Sequence, residues 1–223
     1  MHRKMIITID GPAGAGKSTV SRIVAKRLGY IYLDTGSLYR ALAYKALKNK
    51  INVDDMEVLD SLCSNISISL KNIDGQMKVY VDGEDVGDKL RTEEIGLAAS
   101  KISAFPVVRQ RLLELQREAG ARGGVVTEGR DMGSVVFPRA DYKFYLDADI
   151  EERIKRRYKE LKNKGDSSEF HSIRKDMLAR DNQDSKREIA PLKPTSSSII
   201  IDSTKMSIPE VVENIIRQVS NKI

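Results

Sequence analysis

A glycine-rich stretch near the start of the chain, GPAGAGKST at residues 11–19, contains residue types that bind phosphate. The spacing Gly11-x-x-x-x-Gly16-Lys17-Ser18 is that of a Walker A loop. Glycines let consecutive backbone N–H groups turn toward phosphate oxygens, and the helix that follows adds positive potential. Lys17 would reach the β- and γ-phosphates, and the Ser18 hydroxyl would reach Mg²⁺. We therefore expect nucleoside triphosphate binding, but GTPases, helicases and small-molecule kinases all remain compatible with this loop.

A second candidate anion site lies in LDTGSLYR, residues 33–40. Thr35 and Gly36 stand at the expected start of a helix, where an anion is favoured, and Tyr39 and Arg40 follow one turn later. This site would face the phosphate loop across the strand ends. Two anion sites suggest phosphoryl transfer from a nucleotide to another phosphorylated molecule. The alternative is a capped helix with a surface arginine.

The stretch EGRDMG, residues 128–133, follows the strand-like run VVT and pairs an arginine with an aspartate. Arg130 could donate to a phosphate, and Asp131 could accept a hydrogen bond from a base. In the alternative interpretation the two residues form an ion pair in a surface turn.

Two charge-rich segments late in the chain carry arginines at helical spacing. One predicted face holds Arg153, Arg156 and Arg157, and a second holds Arg180, Asp184 and Arg187 if its helix persists. The polar break NKGDSSEF separates the segments, as expected for a hinged lid of arginines over a triphosphate. Charged helices are also common as solvated faces, so both interpretations stay open.

The elements that must position these residues alternate between strands and helices, which predicts a parallel α/β sheet with helices on both faces. Apolar runs predict strands at 5–9, 30–34, 142–149 and 198–202, and a strand followed by a turn at 124–131. Helical spacing predicts helices at 18–29, 35–50, 54–65 (capped by Asp54), 92–103, 106–119, 150–164 and 172–182, and a closing helix after a capping box of Ser207 and Glu210. Alternating SISL and KVYVDG around Asp74-Gly75 predict a hairpin in a small antiparallel lobe at about 60–90.

Composition limits the class of protein without choosing its ligand. The 223 residues suffice for one α/β domain with a small inserted lobe, and the charged fraction of 31% is ordinary for a globular protein. The net charge of +6 suits polyanionic ligands, nucleotides and nucleic acid alike. Cys63 is the single cysteine, which excludes an internal disulfide, and its apolar surroundings predict burial. Because no apolar run approaches the ~18 residues of a membrane span, we expect a cytoplasmic protein.

Seven stretches together resemble those of the bacterial cytidylate kinases, the CMP/dCMP kinases of the nucleoside monophosphate kinase superfamily. They are IDGPAGAGKST, LDTGSLYR, AASKISAFPVVR, EGRDMGSVVFP, YLDADIEERIKRR, ARDNQDSKREIAPL and IDST, in the family's order over nearly the whole chain. The resemblance implies a P-loop nucleoside triphosphate hydrolase-like three-layer fold with a central parallel sheet, an inserted acceptor-binding lobe with a small antiparallel sheet, and a short helical lid. The core would comprise about 1–34, 92–150 and 188–223, the acceptor-binding lobe about 35–91, and the lid about 151–187.

The resemblance also implies an enzyme that phosphorylates CMP and dCMP with ATP and Mg²⁺, as a monomer without nucleic-acid or membrane partners. ATP would be bound by Gly11, Pro12, Ala13, Gly14, Ala15, Gly16, Lys17, Ser18 and Thr19, with Ser18 reaching Mg²⁺ through the nucleotide. CMP would be bound by Thr35, Tyr39, Arg40, Ser100, Arg109, Arg130, Asp131, Arg180, Asp184 and Arg187.

Within this implied site the roles are divided. Ser100, Arg109 and Asp131 would read cytosine, Arg180 and Asp184 would hold the sugar, and Arg40, Arg130 and Arg187 would grip the acceptor phosphate. The implied catalytic residues are Lys17, Arg130, Arg153, Arg157 and Arg187, and Arg156 would add lid charge. Glu128 stands where some members carry aspartate, which leaves a metal-water role for it open.

The chemistry of cytosine agrees with the roles implied for Arg109 and Asp131. Cytosine has an amino donor at N4 and acceptors at N3 and O2, so a carboxylate can accept from N4 while an arginine donates to N3 or O2. Uracil reverses this polarity and leaves buried groups unpaired, which can cost ~10⁴-fold in discrimination. Two alternatives remain: a P-loop kinase for another small acceptor, such as a different nucleoside monophosphate or shikimate, and a nucleic-acid-binding NTP switch.

Overall fold

Strand β1 (Ile6–Asp10) lies in the middle of the sheet and is buried from its second residue onward. It pairs in parallel with β6 (Val125–Gly129) on one side and with β7 (Tyr142–Asp147) on the other. Such a strand needs apolar residues on both faces because helices cover both sides of a parallel sheet. The protein is represented by a computed structural model, which describes residues 4–163, 165 and 167–220.

In these described ranges the sheet has eight strands, ordered β3-β4-β2-β6-β1-β7-β8, with β5 paired to β4. Strands β2 (Ile31–Asp34), β6, β1, β7 and β8 (Ile199–Asp202) run parallel to one another. From β1 the chain crosses toward β2, whereas from β6 it crosses to the opposite side at β7. The carboxyl end of β1 is therefore a topological switch point, where ligand crevices form in open α/β sheets. The predicted parallel α/β architecture is confirmed.

The helices connect these strands and cover the two faces of the sheet. Their bounds are α1 (Lys17–Leu28), α2 (Thr35–Lys48), α3 (Met56–Asn65), α4 (Glu93–Ile102), α5 (Pro106–Gly120), α6 (Ile150–Asn163), α7 (Phe170–Lys186) and α8 (Ile208–Ser220). A 3₁₀ turn spans Gly87–Arg91, and a π-helical turn spans Met132–Val136. The predicted helices agree with these bounds within a few residues. The largest difference is α7, which continues past 182 and so brings Asp184 onto the same helix as Arg180.

Two helix starts test the predicted caps. The prediction that Asp54 caps α3 is wrong, because the helix begins at Met56 and its preceding residue is therefore Asp55. The Asp55 carboxylate accepts from the backbone N–H groups of Glu57 and Val58 at 3.1 and 3.2 Å, while Asp54 pairs with Lys101. The capping box before α8 is confirmed, since Ser207 N donates to Glu210 Oε2 at 2.8 Å and Glu210 N donates to Ser207 Oγ at 3.4 Å.

The predicted hairpin consists of β3 (Ile68–Ile73) and β4 (Gln76–Val81), and the short β5 (Glu84–Asp85) adds to it. Its turn residues Asp74 and Gly75 have φ of +50° and +78°, and such paired positive values are typical of the tight turn that Asp-Gly favours. The hairpin also joins the main sheet, because Tyr32 of β2 pairs in parallel with Gln76 of β4. The antiparallel strands thus extend the central sheet at one edge.

Two large clusters of buried apolar side chains support the sheet. One lies under β1, β7 and β8 against α1 and α8, and the other lies under the hairpin among α2, α3, α4 and α5. Cys63 is buried in the second cluster, as expected. Among the helices of the described ranges, none combines the length and the apolar character that crossing a membrane requires. The division into core, acceptor-binding lobe and lid stays a prediction.

Candidate active site

The glycine loop connects β1 to α1 at the switch point of the sheet. Its residues Gly11, Gly14 and Gly16 have φ of +147°, +76° and +90°, values that side chains disfavour. A Cβ atom on Gly11 would overlap the carbonyl oxygen of Leu146 in β7. Because α1 begins at Lys17, its unpaired first-turn N–H groups lie beside the loop. The loop thus forms an anion cradle at a helix N-terminus.

Lys17 folds back over this loop. Its side chain is 5% exposed, and Nζ donates to the carbonyl oxygen of Pro12 at 2.7 Å. Burial and the positive charge of Arg130 lower the pKa of Lys17 to about 7, while the Glu128 carboxylate acts in the opposite direction. An anion at the loop would stabilise the charged ammonium group, so the lysine is electrostatically matched to a phosphate.

Ser18 and Thr19 are exposed in the first turn of α1. Over the described part of the chain, no three or more His, Cys, Asp or Glu side chains are grouped as a metal site requires. Mg²⁺ commonly binds through one or two protein oxygens together with nucleotide phosphates. The exposed Ser18 hydroxyl beside the loop fits that mode of binding.

Arg130 and Asp131 follow β6 directly, at the same edge of the sheet as the loop. Arg130 Nε donates to Asp184 Oδ2 at 2.8 Å, and Arg109 of α5 donates to Asp131 Oδ2. Arg187 lies 3.9 Å from both carboxylates, which are 4% and 3% exposed. Three arginines thus surround two buried carboxylates. A simple surface turn does not describe this arrangement, since Arg130 and Asp131 each pair with a different element.

The two carboxylates of this arginine network differ electrostatically. Burial raises the pKa of Asp131, although Arg109 and Arg187 oppose that shift. Burial acts the same way on Asp184, but there Arg130 and Arg180 outweigh it and lower the pKa. Asp184 is therefore anionic. At Asp131 the arginine charges do not fully offset the effect of burial, so a further hydrogen-bond donor would stabilise its carboxylate.

The start of α2 is tied to the end of β6. Thr35 Oγ1 donates to the carbonyl oxygen of Glu128 at 2.7 Å, and Tyr32 OH donates to Glu128 Oε1 at 2.9 Å. Glu128 is 5% exposed, so this carboxylate is held inside the protein near Lys17. The two strand ends are therefore linked by two buried hydrogen bonds beside the candidate site.

Tyr39 and Arg40 lie one turn into α2. Arg40 Nη2 pairs with Asp34 Oδ2 at 2.6 Å, and the guanidinium carbon of Arg109 lies 5.8 Å from the centre of the Tyr39 ring. Both residues are half-buried. The structure thus brings Tyr39 beside the arginine network and holds Arg40 near the start of its own helix.

The three arginines of α6 have three different sets of partners. Arg153 is 7% exposed and donates to the carbonyl oxygens of Ala148 at 2.9 Å and Ala13 at 3.1 Å, and its Nη1 also pairs with Asp181. It therefore joins the phosphate loop to both charged helices. The prediction of one arginine face is thus only partly met, because Arg153 points inward.

Arg156 and Arg157 have partners different from those of Arg153. Arg156 Nη2 donates to the carbonyl oxygen of Ser203, after β8, at 2.7 Å. Arg157 pairs with Glu93 of α4 at 2.5 Å and with Glu160 at 3.0 Å. It lies beside a cavity of about 40 Å³ that Ala13 and Arg180 also line.

Arg180 and Ser100 carry buried polar atoms that have no hydrogen-bond partner among the described residues, Arg180 Nε and Ser100 Oγ. Burial and the charge of Arg130 lower the pKa of Arg180 to about 10. The Ser100 carbonyl oxygen accepts from Gln183 Nε2 of α7 at 2.6 Å, which links the two helices. Buried unpaired polar atoms are costly, so such atoms at a crevice are consistent with a ligand that completes them.

Several residues of this site were missed in the sequence. Asp10 is the last residue of the central strand, so its burial could have been expected from that position. A buried carboxylate needs hydrogen-bond partners, which would have marked Asp10 as a residue with contacts elsewhere in the chain. Glu93, Asp181 and Gln183 bond to residues far away along the chain, and no local pattern marks them. Their contribution is visible only in the folded protein.

A glycine loop at the switch point of a parallel sheet, followed by a helix N-terminus, defines a P-loop α/β protein. Within that class, the chain belongs to the cytidylate kinase family, whose model, described as "Cytidylate kinase", matches residues 7–221. The family resemblance seen in the sequence is confirmed.

Individual relatives agree with this assignment. The chain is 49% identical over 209 residues to the cytidylate kinase of Citrifermentans bemidjiense, covering 94% of this chain and 90% of that protein. It is 46% identical to the cytidylate kinase of Pasteurella multocida, with 95% and 93% covered. An uncharacterized protein from Eubacterium ventriosum has a similar fold, with a TM-score of 0.51 at 11% identity over 97% of this chain and 99% of that one.

Proposed function

We propose that the protein transfers the γ-phosphoryl group of ATP to CMP and dCMP, forming CDP and dCDP. The observation that carries this proposal is the buried Arg109–Asp131 pair beside the network of arginines. Membership of the cytidylate kinase family supports the same reaction. The carboxylate and the guanidinium together match the donor and acceptor pattern of cytosine.

On the donor side, ATP would lie over residues 11–19 with its phosphates toward the first turn of α1. Lys17 would exchange the Pro12 carbonyl oxygen for an oxygen of the β- or γ-phosphate, which restores its charge. The Ser18 hydroxyl would hold Mg²⁺ through the nucleotide, and the bound ion neutralises negative charge on the triphosphate. Glu128 remains a candidate for contact with a water of that ion.

On the acceptor side, Asp131 would accept from the cytosine N4 amino group and Arg109 would donate to N3 or O2. Ser100, whose Oγ is buried without a partner among the described residues, would complete the base site. Thr35 and Tyr39 would line this pocket from the start of α2. A base with reversed polarity would leave these buried groups unpaired.

The sugar and phosphate of CMP would occupy the charged part of the crevice. Arg180, whose Nε has no partner in the described part of the chain, and Asp184 would hold the sugar hydroxyls. Arg40, Arg130 and Arg187 would grip the acceptor phosphate.

Phosphoryl transfer depends mainly on positioning and on neutralising charge. The acceptor phosphate is largely dianionic near neutral pH, because its second pKa is about 6, so no general base is required. Lys17, Arg130 and Arg187 would hold the two anions in line. Arg157 would leave Glu93 to contact the transferred group, whereas the contacts of Arg153 support a role in positioning the loop. Closure of the lid would exclude water.

A steady-state comparison of CMP, dCMP, UMP and AMP as acceptors, with ATP and Mg²⁺, tests the proposal. We expect turnover of CMP and dCMP with kcat/KM far above that of UMP and AMP. Equal rates with UMP and CMP would contradict the base-reading role of Asp131. The other two interpretations, another small acceptor or a nucleic-acid-binding NTP switch, predict activity with neither CMP nor dCMP.

The cellular setting is part of the same proposal. We place the enzyme in the cytoplasm, in pyrimidine nucleotide metabolism, and expect a monomer without nucleic-acid or membrane partners. Its basic charge is then explained by the arginines that face two polyanionic substrates. Size-exclusion chromatography with light scattering, with and without both nucleotides, measures the oligomeric state.

A further inference from the structure

The last residue of β1 is a buried carboxylate that contacts the acceptor side of the site. Asp10 is 7% exposed, and its two oxygens accept from two consecutive backbone N–H groups. Met132 N donates to Oδ1 and Gly133 N donates to Oδ2, each at 2.8 Å. Both oxygens of the carboxylate are therefore used in one fork-like contact.

The position of this contact in the chain is informative. Asp10 directly precedes Gly11, the first residue of the phosphate loop, while Met132 directly follows Asp131. In the sheet, Asp10 is paired with Gly129 of β6, so the fork extends from the last pair of the ladder to residues three and four positions further along. One side chain thus connects the root of the donor loop to the backbone of the acceptor loop.

The Asp10 side chain connects β1 to the backbone that follows β6, beyond the point where the two strands stop pairing. β6 ends at Gly129, and the π-helical turn starts at Met132. Without the fork, the backbone N–H groups of Met132 and Gly133 would lose these buried partners, and the segment after β6 would lose two hydrogen bonds to β1. The loop carries both Arg130 and Asp131, which bind different parts of the same proposed substrate.

A carboxylate at this place is unfavourable for folding alone. Burial raises the pKa of Asp10 to about 6, and the neighbouring Asp131 adds to this effect, while the two amides and Lys17 oppose it. Burying an ionised group needs compensation by partners, and here those partners belong to the site. This cost indicates that Asp10 serves to fix the geometry of the loop after β6 and not to stabilise the fold.

We infer that Asp10 is a positioning residue that holds the Arg130–Asp131 loop at a fixed distance from the phosphate loop. It sets the separation between the acceptor and the donor without touching either. This inference rests on the proposed function, since it concerns the alignment of CMP with ATP.

The experiment compares the wild type with Asp10→Asn in steady-state kinetics with ATP and CMP. Asparagine offers one acceptor oxygen but turns an N–H₂ donor toward the second backbone N–H. We expect the KM for CMP to rise and kcat to fall, with kcat/KM for CMP reduced on the order of tenfold or more, because a charge-assisted buried hydrogen bond is lost. The KM for ATP should change less than about threefold, because the cradle of residues 11–19 remains formed by its own backbone.

Asp55→Asn is the matched control, because Asp55 also accepts from two backbone N–H groups but does so at the start of α3. It should leave both KM values unchanged. If Asp10→Asn does not fold, Asp10→Glu keeps both oxygens and the charge while displacing them by one methylene, and the same split between the two KM values is expected.

Distinct outcomes separate the two proposals. If the wild type does not phosphorylate CMP, the proposed function fails. If the wild type is active, the inference about Asp10 is overturned by unchanged kinetics in Asp10→Asn, by equal changes in the KM values for ATP and CMP, or by loss of folding in both Asp10 variants. The last result would make Asp10 a residue of stability alone.

Discussion

Arg157 of α6 and Glu93 of α4 form an ion pair across the crevice, with Nη2 and Oε2 2.5 Å apart and 64 positions of chain between them. Both side chains are about one-third exposed, so water weakens the pair. A triphosphate that recruits Arg157 must displace this carboxylate. Glu93 would therefore compete with such a ligand for the arginine.

Replacing Glu93 by glutamine should free Arg157 for the nucleotide. We expect Glu93→Gln to lower the Kd for ATP about two- to fivefold, the range that corresponds to a partly exposed ion pair. Isothermal titration with ATP and Mg²⁺ measures this change. Glu160→Gln is the control, because Glu160 pairs with the same guanidinium but lies on the same helix, and its effect should be smaller. Weaker ATP binding in Glu93→Gln would show instead that the pair supports the bound state.

Asp131 should control the acceptor and not the donor. Asp131→Ala leaves Arg109 buried without its carboxylate, and we expect the KM for CMP to rise about 10- to 100-fold while the KM for ATP changes little. Asp131→Asn offers a donor to O4 of uracil, so the ratio of kcat/KM for CMP to that for UMP should fall. Steady-state kinetics with each acceptor measures both effects, and an unchanged KM for CMP in Asp131→Ala would exclude the base-reading role.

Binding of ATP should take up a proton above neutral pH. The Lys17 pKa of about 7 means that its ammonium group is half-deprotonated near that pH in the ligand-free protein. Phosphate favours the charged form, so binding at about pH 8 should absorb close to one proton, whereas binding at about pH 6 should absorb little. Calorimetry in two buffers of different ionisation enthalpy counts the protons. Lys17→Arg, which stays charged, should show no uptake, and buffer-independent heats for the wild type at about pH 8 would contradict the prediction.

Alanine substitutions at Gly11 and Gly29 can be compared to measure how tightly the phosphate loop is packed. Both have positive φ, but a Cβ atom on Gly11 would overlap backbone of Leu146, whereas a Cβ on Gly29 would meet nothing within 4 Å. Gly29→Ala should lower the free energy of unfolding by about 1 kcal/mol, from backbone strain alone. Gly11→Ala should lower it by more than about 3 kcal/mol, because a packed backbone must also move. Denaturant unfolding measures both, and equal losses would show that strain dominates at both positions.

Local patterns predicted the parts of this fold that local chemistry decides. The glycine loop between a strand and a helix, the Asp74-Gly75 turn and the Ser207–Glu210 capping box each depend on residues a few positions apart. In each case the residue types indicate the backbone conformation that is needed, so these three features could be predicted from the sequence. The cap of α3 was misplaced by one residue because Asp54 and Asp55 are chemically equal as caps.

Contacts between distant segments could not be predicted in this way. Arg153 had the spacing of a surface arginine, yet it is buried against Ala13 and Asp181 because α6 and α7 pack on the loop. The partners of Asp10 and Gln183 likewise follow from the order of the strands, which residue patterns leave open. The roles expected for the individual site residues stay predictions that the experiments above address.

The single junction between the hairpin and the parallel strands has a mechanical consequence. Tyr32 N donates to the carbonyl oxygen of Gly75 at 2.9 Å, and Tyr32 with Gln76 is the one residue pair that joins β2 to β4 in the described structure. On its other side β2 pairs with β6 over four residues, so the hairpin is attached to β2 by fewer ladder pairs than β6 is. Displacing the hairpin strands from β2 would therefore break a single bridge, whereas displacing β6 from β2 would break a ladder of four residue pairs.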